Sequence, residues 1–118
     1  MIDEEYIAQI KKKGSGLYIL DENGDPKEEP DALAWARWFE SNTEQRRVAL
    51  TKIGGITEVS TVFLGVDHSY TKEGPPVLYE TMVFGCGQLD GYQERYCTRQ
   101  EALEGHEYVV LKVKGNNP

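Results

Sequence analysis

The 118-residue chain is poor in sulfur, imidazole and phenylalanine, with two Cys, two Met, two His and three Phe. Two cysteines, Cys86 and Cys97, are too few to staple a small secreted scaffold, so free thiols in a reducing cytoplasm are expected. Long apolar runs are also missing. No stretch approaches the ~18 residues that a membrane-spanning helix needs, and Met1–Tyr6 is acidic where a secretory leader would be basic and then apolar. A soluble, intracellular protein with no membrane partner is the expectation. Base is scarce relative to acid, 13 Lys and Arg against 20 Asp and Glu, for a net charge of -7. This deficit disfavours nucleic acid as a partner, because phosphate is held by clustered Lys and Arg. The one basic run, Lys11-Lys12-Lys13, follows Asp3-Glu4-Glu5. That order suits a peripheral N-terminal helix within residues 1–14, acidic in its first turn, basic in its last and closed by Gly14.

What is present is enough for a core. Hydrophobic residues make up 39% and charged residues 28% of the chain, which predicts one globular domain over 1–118. The negative charge is concentrated: residues 21–31 hold six carboxylates and one lysine, a local charge of -5. Asp21-x-Asn23-x-Asp25 has the alternating oxygens that open a calcium loop, but Pro26 stands where such a loop needs glycine and Ala32 where it needs a bidentate Glu. Asn23-Gly24 after Leu17-Tyr18-Ile19-Leu20 fits a tight hairpin turn better, since both residues tolerate positive φ. Residues 21–31 are therefore expected to form an acidic loop whose Asp21, Glu22, Asp25, Glu28 and Glu29 are candidates for contacting a charged partner.

Asp31 can cap a helix running to about Ser41, with Trp35, Trp38 and Phe39 on one side at spacings of three and four. This aromatic face is expected to dock on the core, and any part of Trp35 or Trp38 left exposed is a candidate contact, because Trp is enriched at binding hot spots. From Gln45 onward the pattern becomes β-branched alternation: Val48 to Ile53, a Gly54-Gly55 turn, Thr57 to Val66, a loop Asp67–Pro76, and Val77 to Phe84. In the central strand Val59, Thr61 and Phe63 share one face and Val62, Leu64 and Val66 the other, so both faces are expected to be partly covered. Thr98-Arg99-Gln100-Glu101 is a capping box. Behind it Ala102, Leu103, His106, Val109, Val110 and Val113 form an apolar helical stripe ending near Gly115. The predicted fold is α+β: a three- to four-stranded antiparallel meander with a C-terminal helix and one or two further helices packed on it.

Several longer motifs carry a resemblance. Trp35-Ala36-Arg37-Trp38-Phe39-Glu40, Val59 through His68, Gly74 through Gly85, and Arg95-Tyr96-Cys97-Thr98 with Glu101-Ala102 and Gly105-His106 resemble a group of small bacteriophage and prophage proteins, over roughly residues 17–114. The resemblance implies a phage origin and work in the cytoplasm of the infected bacterium. It implies no particular activity. The group has Gly in place of Cys86 and Ser in place of Cys97, so a zinc site using both thiols would be private to this chain.

Two constellations could carry chemistry. His68, Cys86, Cys97 and His106 match a tetrahedral zinc site in number. Their spacings, with seventeen, ten and eight residues between successive members, include no short Cys-x-x-Cys knuckle. No cofactor is expected, and His68 and His106 remain the weak metal candidates. The second set is Asp67, His68, Glu80 and His106. Asp67-His68 ends a strand and opens a loop, Glu80 is a mid-strand carboxylate among Leu78, Met82 and Phe84, and His106 lies on the apolar helical stripe. If they converged, a carboxylate–imidazole pair could act as general acid and base in a hydrolytic site, or the set could hold a metal. The plainer alternative is that Glu80 and His106 satisfy each other in the core while Asp67 caps its turn. No nucleophile elbow, phosphate-cradling loop or His-Glu-x-x-His helix is present.

The expectation is thus a non-enzymatic phage accessory protein that modulates or inhibits a host or phage protein through the acidic loop 21–31, the loop Asp67–Pro76 and whatever part of Trp35 and Trp38 stays exposed, with a ligand- or metal-binding protein built on the quartet as the alternative. An acidic surrogate of nucleic acid is a weaker third reading, because mimicry needs negative potential along an extended face. Exposed strand edges in a small meander leave room for a homodimer.

Overall fold

β-branched residues at alternate positions decide the middle of the chain. In the computed structural model, which describes residues 14–69, 73–85 and 87–115, strands β3 (Arg47–Ile53), β4 (Thr57–Phe63), β5 (Tyr79–Phe84) and β6 (Gln93–Tyr96) form one antiparallel sheet in sequential order. A separate hairpin of β1 (Tyr18–Leu20) and β2 (Pro26–Glu28) precedes it. The helices are α1 (Ala32–Ser41), the single turn α2 (Thr43–Arg46) and α3 (Arg99–Gly115). This is the α+β meander expected, with β6 as a fourth strand. The predicted helix Asp3–Lys13 and the thiol Cys86 lie outside the described residues. Among the described residues no helix is long and apolar enough to cross a membrane.

Register sorts the side chains into two faces. Val59 lies opposite Val83, Thr61 opposite Thr81 and Phe63 opposite Tyr79, and all six are buried. Over this face lies α3, which buries Ala102, His106, Val109, Val110 and Val113. The spacing of four and three brings these five onto one side of the helix. The capping box forms as the sequence predicts: the Glu101 amide donates to Thr98 Oγ1 at 3.1 Å, and the Thr98 amide donates to Glu101 Oε1 at 3.1 Å. Close approach of α3 to β6 depends on Gly105, where a Cβ would fall 2.2 Å from the Tyr96 ring. On the opposite face Val62 is half-buried, while Leu50 and Phe84 are exposed. One face of the sheet is closed by helices and the other meets solvent.

The expected boundaries shift where the backbone must turn. Gln45 belongs to α2 instead of the following strand, and Arg46 anchors this turn by donating from Nε to Phe39 O at 3.1 Å with its guanidinium 3.6 Å over the Phe39 ring. The predicted strand Thr57–Val66 stops at Phe63, because Gly65 takes φ 75 and breaks the extended path before Val66 bridges Leu17. Residues 21–31 are not a single loop. Pro26–Glu28 is the return strand of the hairpin, with Pro26 at its first position, where a missing N–H is tolerated. Of Asn23 and Gly24, only Gly24 takes positive φ.

Gly65 joins the hairpin, α1 and the sheet. Its carbonyl accepts from Tyr18 N at 2.8 Å and from Trp35 Nε1 at 2.9 Å, and a Cβ there would sit 3.2 Å from the Phe39 ring. Gly65→Ala is therefore expected to cost about 1–2 kcal/mol from left-handed strain and crowding together. Urea unfolding of the variant checks this, and an unchanged midpoint would show that α1 can move aside.

Candidate binding groove

The quartet Asp67, His68, Glu80 and His106 does not converge. Glu80 pairs with Arg95 directly across the β5–β6 ladder, its Oε2 2.9 Å from the guanidinium Nε. It shares the solvent-side face with Met82, whereas His106 lies under α3 on the other side of the sheet. The anticipated contact between Glu80 and His106 is thus corrected: the intervening sheet separates them. Asp67 ties its loop together, Oδ1 accepting from Ser69 N at 2.8 Å and Val77 N at 2.9 Å. His68 is half-buried and its backbone N–H donates to Val77 O. Among the described residues no three His, Cys, Asp or Glu side chains gather to hold a metal. Burial first, and then the charges of Glu101 and Asp67, push the Cys97 thiol above its ordinary pKa, which makes it a poor nucleophile.

His106 has a different role. Its Nε2 lies 2.8 Å from Thr51 Oγ1 and its Nδ1 2.7 Å from Thr61 Oγ1; Thr61 in turn meets Thr81 Oγ1 at 2.6 Å, which also accepts from the Tyr96 hydroxyl at 3.1 Å. A polar seam therefore crosses the core from β3 to β6, bonding both ring nitrogens of a side chain that is 2% exposed. Sequence reasoning marked the histidine but not its threonine partners. The available signal was the placement of Thr61 and Thr81 at inward positions of the alternation.

Burial holds the His106 pKa below its ordinary value of 6.5, against a smaller upward pull from Glu107. The unfolded chain then binds a proton that the folded chain refuses. His106 accordingly leaves stability intact above about pH 6.5 and erodes it as pH falls from there toward the depressed folded value. Urea midpoints from pH 8 to 5 should fall on the acid side, and His106→Gln should flatten that part of the profile relative to the wild type. An equal acid slope in both proteins would remove His106 as its source.

The acidic hairpin and the second tryptophan meet elsewhere. Asp21 builds the turn, its Oδ1 accepting from Asn23 N and Asp25 N at 2.9 Å each, while Gly24 N donates to Asp21 O at 3.0 Å. In α1, Asp31 caps the first turn by accepting from Leu33 N at 2.9 Å and Ala34 N at 3.3 Å. This fixes the two indoles differently. Trp35 is structural: its Nε1 donates to Tyr18 O at 3.1 Å and to Gly65 O, and its ring lies 4.9 Å from Phe39. Trp38 forms a T-shaped pair with Phe63 at 6.0 Å between ring centres and lines an open groove of about 550 Å³. The groove is completed by the turn 21–24, by Asn42 and Gln45, and by Arg99 at the start of α3. Asn42 braces the Trp38 wall by donating from Nδ2 to Trp38 O at 2.8 Å.

Of the acidic candidates, Asp21 and Glu22 line the groove, Asp25 and Glu28 are exposed on the same hairpin, and Glu29 is used internally, accepting from Asp31 N at 3.1 Å. Comparison with protein-family models, curated proteins and solved structures finds no match to this chain.

Proposed function

We propose that this is a small accessory protein, of the phage or prophage kind that its motifs resemble, acting by binding a host or phage protein in the infected bacterial cytoplasm and modulating it. The supporting observation is the groove, which brings two of the predicted contact features, the acidic turn and Trp38, onto one surface. Binding sites combine an apolar wall with a few placed polar groups in about 300–1,000 Å³, and this groove has that make-up. A catalytic reading lacks comparable support, since Glu80 is engaged by Arg95 and His106 by threonines.

Affinity capture from bacterial lysate tests the proposal. The wild type should retain a partner that Trp38→Ala and the double variant Asp21→Lys/Glu22→Lys lose by at least about ten-fold, as expected for a hot-spot residue. Gln93→Ala, on the solvent-side face, should leave capture unchanged. No partner above background, or equal capture by the folded groove variants, would overturn the proposal.

A further inference from the structure

Resting on the groove as the binding site, we infer that its occupant is an arginine side chain presented by a partner polypeptide. Charge is the first reason. Asp21 and Glu22 line the groove against one cation, Arg99, and Asp25 and Glu28 are exposed on the same hairpin, so negative charge is in excess beside the groove. The hydrogen bonds from Asn23 N and Asp25 N fix the Asp21 carboxylate before anything binds, which lowers the ordering cost of an incoming cation.

Trp38 is the second reason. An indole is the best aromatic partner for a cation. A planar guanidinium can lie on that ring and still bond a carboxylate through its edge, which a compact ammonium does less well. Arg99 then decides the kind of molecule that carries the cation. A free polyamine would meet this positive group with like charge along its length, whereas a polypeptide can turn backbone carbonyls toward it. The volume of about 550 Å³ exceeds one side chain, leaving room for flanking backbone.

The test is an NMR titration of the full chain with acetyl-Gly-Arg-Gly-amide, followed at backbone and indole N–H groups, with the lysine and citrulline counterparts as controls. The arginine peptide should shift the Trp38 indole and the amides of 21–24 saturably. The lysine peptide should bind about five-fold more weakly and the uncharged citrulline peptide should not saturate. Glu22→Gln, at an exposed position, should weaken the arginine peptide several-fold. Equal binding of arginine and lysine, or saturation without a Trp38 shift, would overturn the inference in favour of unspecific attraction to the hairpin. If no peptide saturates while Trp38→Ala still loses the captured partner, arginine is the wrong occupant and the groove remains the binding site. If both fail, the groove itself is not the site.

Discussion

The bonding of His106 to the sheet is the constraint on which the rest of the molecule depends. A buried imidazole with an unmet nitrogen would cost about 1–3 kcal/mol, so α3 can close over the sheet only where two hydroxyls are waiting. Thr51 and Thr61 meet that demand, and Thr81 and Tyr96 extend the chain of hydroxyls to the far edge. This seam divides the core. Ile53, Val59, Val83, Val109, Val110 and Val113 lie in one apolar cluster, and Phe63, Leu78, Tyr79 and Ala102 in another. Hydrophobic burial supplies most of the driving force on either side, but the seam sets the register: sliding α3 by one turn would leave both the imidazole and the threonines unpaired.

The groove inherits its shape from that register. Arg99 opens α3, Trp38 rests on Phe63 in the second cluster, and the acidic turn is tied to the sheet through Gly65. Each groove wall therefore comes from a different part of the chain but is referred to the same core. A rigid scaffold carrying polar groups on turns and helix ends is a common way to build a recognition surface. The solvent-side face, by contrast, carries Leu50 and Phe84 among the paired charges Lys52–Glu58 and Glu80–Arg95.

Local signals were legible in the sequence where one short segment carries the whole cause. The Thr98–Glu101 capping box, the Asp31 cap, the aromatic side of α1 and the alternation of β4 all follow from spacing alone. β2 was hidden because proline and acidic residues depress strand propensity, and its pairing comes from the hairpin instead of from its own composition. Glu80 and His106 were misjudged as partners for a different reason. Which face of the sheet a strand residue takes depends on register with its neighbours, and which face the helix covers depends on the whole fold. The groove was unreadable as a unit, since positions 21–24, 38–45 and 99 come together only in the folded chain. Trp35 and Trp38, alike in sequence, are separated by one geometric fact: among the described residues, the carbonyls of Tyr18 and Gly65 both accept from the Trp35 indole.

Site-specific photocrosslinking in bacterial cells most directly tests the proposal that the groove receives a partner protein. A photoreactive residue at Gln45, on the groove rim, should give a discrete heavier adduct, and one at Gln93, on the solvent-side face, should not. Adducts from Gln93 with none from Gln45 would place the working surface on the open side of the sheet and contradict the groove as the site of function.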